Sequence, residues 1–284
     1  MEALRKNHLS SESELFIFSD AAKSSSDKDK VNEVRNYINN IDGFNKITII
    51  ERIENWGLAN SIIDGVTTIF KDFGEVIVLE DDLITGPYFL KFMNEALVAF
   101  ESREDIFSVT GFNYPPNILN IPGDYKDEVY LHYRFMCWGW GSWKDRWNKV
   151  EWSVKRFSLL KNYKDEIRKL NRGGEDLYPM LQSQIEGKID SWAIRFCFAH
   201  AIHESFCVYP VISLVNNEGF DGSGVHCQGE DGTRFRNCLS NVENIKINKN
   251  SILNKNILEN SLKIYKRNFM KKIKTFLKQY ILKQ

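Results

Sequence analysis

Three consecutive acids, Glu80-Asp81-Asp82, follow an apolar run, Val76-Ile-Val-Leu79. Carboxylates this close repel one another, so they need either solvent or a cation. Hard oxygen ligands favour Mg2+ or Mn2+, ions that keep few protein carboxylates and complete their shell with water and substrate phosphates. The chemistry this suggests is the gripping of a diphosphate through a metal. The plain alternative is a solvated acidic turn ahead of a helix. Other candidates stand apart in sequence: Asp20 at the end of Leu15-Phe-Ile-Phe18, Asp190 before the apolar stretch that Trp192 opens, and His226 in a glycine-rich loop over 219–232. Trp138, Trp140 and Trp143 alternate with Gly139 and Gly141, a pattern that suits flat rings stacking on sugar faces while glycine lets the backbone approach; burial in a core is the alternative.

These residues need elements to hold them. Leu15-Phe-Ile-Phe18, Ile47-Thr-Ile-Ile50, Val76-Ile-Val-Leu79 and Phe107-Ser-Val-Thr110 read as short strands, with helices predicted over 27–41, from Asn55 to about 70, and from Gly86-Pro87 to about 103. Short apolar strands alternating with helices require a sheet covered on both faces. The expected fold is therefore α/β, with a mainly parallel central sheet flanked by helices. In such sheets ligands gather at the carboxyl ends of the strands, where Asp20 and the acidic triplet fall. Ser142 is expected to cap a helix running through Trp152, a polar helical region to reach about 187, and Asp190-Ser191 to cap an apolar helix ending near 203. The first residues, 2–8, read as helix where a sheet of this type opens with a buried strand. The expectation is a sheet lacking its opening strand, with a short edge helix as the alternative.

The chain divides into 1–239 and a tail over 240–284, where eleven Lys and Arg meet two acids. Leu258, Leu262, Tyr265, Phe269, Ile273, Phe276 and Tyr280 form an apolar stripe flanked by Lys263, Lys271 and Lys274. A basic amphipathic helix of this kind can lie on an anionic membrane, or dock on its own domain.

Composition narrows the classes. With 43% apolar and 13% aromatic residues in 284, the chain can bury a substantial core. Its 38 basic and 38 acidic residues cancel, which argues against nucleic acid as a partner. No apolar run approaches the roughly 18 residues of a membrane span, and the polar start lacks a signal-peptide core, so a soluble cytoplasmic protein is expected. Cys137, Cys197, Cys207, Cys227 and Cys238 show no C-x-x-C pair and are expected to be reduced. His200-Ala-Ile-His203-Glu204 has the wrong order for a metalloprotease helix.

The segment Val78-Leu-Glu-Asp-Asp-Leu-Ile-Thr-Gly-Pro-Tyr-Phe-Leu-Lys-Phe92 resembles the acidic motif and following helix of GT-A glycosyltransferases, especially the inverting N-acetylglucosaminyltransferase I family. The likeness continues in order through Ser19-Asp20, a Gly-Trp element, an acid before a tryptophan helix and a late loop histidine, over roughly 1–227. The resemblance implies a UDP-sugar donor and a Mn2+ or Mg2+ cofactor. The implied acceptor is a surface glycan or lipid-linked glycan. By position, Asp20 would contact uracil, Glu80 and Asp81 the sugar and ribose hydroxyls, Asp82 the metal, His226 the metal or diphosphate, Trp140 the nucleotide sugar, and Asp190 would be the base. The family has two adjacent acids before its tryptophan, whereas Ser191 stands here where the base would fall. The family's first strand and its turn also help to hold the nucleotide. Two other readings remain: a sugar-phosphate nucleotidyltransferase, for which no glycine-rich basic loop is seen near the start, and a catalytically silent relative that binds glycan or membrane. Donor sugar and oligomeric state are left open.

Overall fold

The structure, a computed structural model, describes residues 1–153, 164–220 and 235–266. After a single turn, α1 (Glu2–Arg5), the strand β1 (Glu14–Ser19) pairs in parallel with β2 (Lys46–Glu51), Leu15 opposite Ile47 and Phe18 opposite Ile50. The crossover between them is α2 (Lys28–Ile38). Helix α3 (Gly57–Ile69) follows, burying Ala59, Val66 and Ile69 at helical spacing, and returns the chain to β3 (Glu75–Val78). Then come β4 (Leu83–Thr85) and α4 (Phe89–Phe100). Phe89, Phe92, Met93, Ala96, Leu97 and Phe100 recur every three or four residues along α4 and are buried, each large one contributing about 1.5–3 kcal/mol.

Further along lie β5 (Ile106–Thr110), β6 (Val129–His132), β7 (Trp140–Trp143), α5 (Lys144–Trp147), α6 (Lys164–Asn171), α7 (Leu177–Ile185), α8 (Trp192–Ile202), β8 (Phe206–Pro210), β9 (Val215–Asn217) and α9 (Lys255–Ile264). Five strands form one sheet in the order β3-β7-β5-β8-β6. It is mixed rather than mainly parallel: β7 runs against both β3 and β5, β8 runs with β5, and β6 runs against β8. The expected helix from Ser142 to Trp152 is the source of the difference. Trp-Gly-Ser-Trp is instead a strand whose alternation puts Trp140 in one core cluster and Trp143 in the other, on opposite faces. Ser142 Oγ donates to the Phe107 carbonyl across the sheet, 2.7 Å, and only the one-turn α5 follows. Gly139 enters β7 at φ +61°, where a side chain would be strained and would strike Val215.

Helices cover both faces. Trp140, Trp147, Tyr130 and Tyr209 pack with α3 and α8 on one side; Val109, Leu131, Trp143 and Val208 pack with α4 on the other. The described part of the tail belongs to this body. Asn254 caps α9 by accepting from Ile257 N, Ile257 is buried, Ser261 bonds His132, and Tyr265 lies 4.0 Å beneath the Arg134 guanidinium, itself clamped by Asp176 at 2.9 Å. Of the expected stripe, Leu258, Leu262 and Tyr265 are partly buried, and Tyr265, with Ile257 and Ile264, packs in the core cluster of the domain across the 239/240 boundary. Phe269, Ile273, Phe276, Tyr280, Lys271 and Lys274 lie outside the described residues. Among the described residues no helix is long and apolar enough to cross a membrane.

Candidate functional site

Beyond β3 the chain turns through Leu79-Glu80-Asp81-Asp82, Leu83 N donating to the Glu80 carbonyl, before β4 pairs antiparallel with β9. That pairing sets Leu83 opposite Asn217 and lets Glu218 N donate to the Asp82 carbonyl, 2.8 Å. Asn217 Oδ1 in turn accepts from Gly219 N, 2.7 Å, closing a tight side-chain turn. A side chain at Gly219 would have to displace the Asp82 carboxylate, because a Cβ there would overlap Oδ2. The Asp82 carboxylate is thus pressed into a backbone cradle, and its Oδ1 is buried with no partner. Burial, followed by the neighbouring Asp81, pushes the Asp82 pKa up, while the Asn217 side chain and its own backbone pull it back.

Glu80 sits deeper. Burial first, then the charges of Asp82 and Asp81, raise its carboxyl to about 7, against a smaller opposing bond from Trp192 at the start of α8. Cys137 lies close enough to feel Glu80 and Asp82, and burial holds its thiol well above the usual range. Asp81 is exposed. Folded Glu80 keeps a proton that the unfolded chain sheds from pH 4.5 upward, so its contribution to stability is full at low pH and is lost as pH rises through that window to about 7. The change is at most about 3 kcal/mol. Metal-free melting temperature is expected to fall over this range, and Glu80→Gln to flatten the fall; identical pH profiles for the two proteins would contradict the buried setting of Glu80.

Among the described residues no three His, Cys, Asp or Glu side chains are grouped to hold a metal ion. The acidic triplet does not converge as a three-carboxylate cage. One carboxylate with an unpartnered buried oxygen in a glycine cradle still fits a hard cation, since Mg2+ takes one or two carboxylates and draws the remaining ligands from water and phosphate.

The other expected residues are dispersed. Both oxygens of Asp20 are used by backbone: it accepts from Ala21 N at 2.9 Å, Trp56 N at 2.9 Å and Gly57 N at 2.9 Å, tying the end of β1 to the start of α3. Asp20→Ala is expected to cost about 1–2 kcal/mol, the price of a lost helix cap, measured by denaturant unfolding; no change in midpoint would rule out this anchoring role. Trp140 is fully buried among Trp147, Trp192, Phe135 and Phe196, so it supports the core instead of presenting a face to sugar. Trp138 is the half-buried member of the trio, touching Phe220 beside the Asp82 cradle. Asp190 is exposed and pairs with Arg195 at 2.7 Å, while Ser191 caps α8 by accepting from Ile194 N. His226 falls outside the described residues. Cys137, Cys197, Cys207 and Cys238 are free thiols, and His200 is wholly buried against Ser108.

Sequence reading missed Asn217, Gly219, Trp192 and Cys137. An Asn two residues before a Gly is a local turn signal and marked 217–219 in principle; nothing in the sequence linked that turn to Asp82. A separate cleft of about 590 Å3 lies along α3, lined by Asn55, Trp56, Asn60 and Asp64 among others. None of the three acids lines it, but its Asn55-Trp56 rim is built on the Asp20 anchor, and the exposed Trp56 ring is backed by Arg52 at 3.8 Å. No protein-family model matches the chain, and no curated protein matches it.

Proposed function

We propose that the chain is a metal-dependent glycosyltransferase of the GT-A type, moving a sugar from a nucleoside diphosphate donor, UDP in the first instance, to a hydroxyl of a glycan acceptor. The observation that carries this reading is the Asp82 carboxylate, held between Gly219 and Asn217 with one buried oxygen left without a partner. Asp82 would hold the Mn2+ or Mg2+, which when bound supplies Lewis-acid stabilisation to the departing diphosphate. Glu80, titrating near neutrality in a buried setting, can donate to or accept from a sugar hydroxyl. Trp138 and Phe220, next to Gly219 in the Asp82 cradle, offer apolar ring surface. The cleft along α3, with a half-exposed Trp56 ring and the Asn55 and Asn60 amides, has the size and composition to seat a nucleoside.

In the transfer, the acceptor oxygen bonds to the anomeric carbon as the bond to the diphosphate oxygen breaks, and the hydroxyl proton passes to a carboxylate. Asp190 is the proposed base. Its second carboxylate oxygen would accept from the acceptor hydroxyl while Arg195, at 2.7 Å from Oδ1, steers the side chain. The test is calorimetric titration of UDP into the protein with manganese and again with a chelator. Binding heat that requires the metal is expected; equally weak heats in both would sink the reading.

A further inference from the structure

The pairing of β9 with β4 sets Asn217 opposite Leu83, the residue after Asp82, and Asn217 is buried there. Its amide makes two bonds of opposite sense. Oδ1 accepts from Gly219 N at 2.7 Å, and because an N–H has to meet the oxygen, the NH2 group is left to donate to the Asp82 carboxylate. Asp82 Oδ1 has no partner, so that donation falls on Oδ2, the oxygen that Gly219 also crowds. The backbone is held from the same segment, the Asp82 carbonyl accepting from Glu218 N at 2.8 Å. One carboxylate oxygen is therefore closed off and the other is left open.

Asn216, the preceding residue, is engaged elsewhere. Its amide exchanges two bonds with Asn237, Nδ2 donating to the carbonyl at 2.7 Å and Oδ1 accepting from the N–H at 2.8 Å. Both asparagines are buried to a similar degree. Successive side chains of a strand point to opposite faces, so these two neighbours of like chemistry and like burial do different things. Asn216 ties β9 to the chain around 237, and Asn217 touches the carboxylate.

The number of open oxygens matters to a cation. In the octahedral shells of Mg2+ and Mn2+ a carboxylate fills one corner, whereas Ca2+ takes about six to eight oxygens and readily uses both of one carboxylate. Resting on the reading of Asp82 as the cation ligand, we propose that Asn217 is the positioning residue that restricts Asp82 to one oxygen and so sets the preference of the site for a small octahedral ion over calcium. It acts through Asp82, by occupying Oδ2.

The test titrates UDP calorimetrically into the full chain under saturating Mn2+ and again under saturating Ca2+. The parent is expected to bind at least about tenfold more tightly with manganese, and Asn217→Ala to bring the two affinities within about threefold, the loss falling on the manganese side. Asn217→Asp still accepts from Gly219 N but has no N–H to give; it is expected to lose the preference as well, and it covers the case in which the alanine variant does not fold. Asn216→Ala is expected to lower the melting temperature and keep the preference. A preference unchanged in the Asn217 variants, or lost equally in Asn216→Ala, would overturn the proposal while leaving Asp82 as ligand. A parent that binds equally well with both ions would overturn it too. No metal-dependent heat in the parent would instead remove Asp82 from the site, and the proposal with it.

Discussion

Asp82→Asn is expected to weaken manganese-dependent UDP binding by at least about 100-fold while leaving the metal-free melting temperature unchanged or slightly higher. The binding loss follows from the role of Asp82 as the anionic ligand, since residues that merely orient a metal ligand already cost about 10–100-fold. The absence of a stability loss follows from its surroundings. The carboxylate is half-buried, stands beside Asp81, and carries an oxygen with no partner. Neutralising it removes a desolvated, repelled charge and adds no bulk, which matters because Gly219 leaves no room. Titration calorimetry and thermal melts on the same two proteins read both quantities. Unchanged affinity in the variant would remove Asp82 from the site, and a large fall in melting temperature without metal would make it a structural residue.

Trp140→Ala is expected to cost about 3–5 kcal/mol, the range for emptying a buried aromatic site. For a chain of this size that is a fall of about 10 °C in melting temperature. Trp140 is wholly enclosed, stacked on Trp147 at 5.9 Å, tilted against Trp192 at 5.1 Å and edge-on to Phe135 at 5.2 Å. It couples the interior strand β7 to α8, the helix whose first residue bonds Glu80. Trp140→Phe should cost much less, because the indole Nε1 is buried without a partner and its removal relieves an unmet donor. A melting temperature within about 2 °C of the parent for the alanine variant, with sugar binding lost, would return Trp140 to the ligand-contacting surface instead.

The strands β1, β2, β3 and β5 and helices α2, α3, α4 and α8 were legible because each is a local pattern: a short apolar run, or apolar residues every three or four positions, with a capping residue such as Ser191. The strand β7 was not. Its two tryptophans and two small residues fit a sugar-binding loop and a helix start as readily as a strand, and only pairing with β3 and β5 decides. β6 and β8 hid for a related reason. Val-Tyr-Leu-His and Phe-Cys-Val-Tyr-Pro are almost wholly buried, so they show no alternation to mark them. The same ambiguity turned an expected mainly parallel sheet into a mixed one.

The sequence by itself determined that this chain builds an α/β body and that three acids stand at the end of one of its strands, because apolar periodicity is a property of neighbours along the chain. Only the tertiary structure decided what each acid does. Asp20 has both oxygens taken by backbone donors, Asp190 is exposed with one oxygen paired to Arg195, and Asp82 alone is pressed against Gly219 with a buried oxygen unmet. Partners of this kind come from distant segments brought together by strand pairing, and whether a carboxylate is free to act depends on which donors that pairing delivers to it.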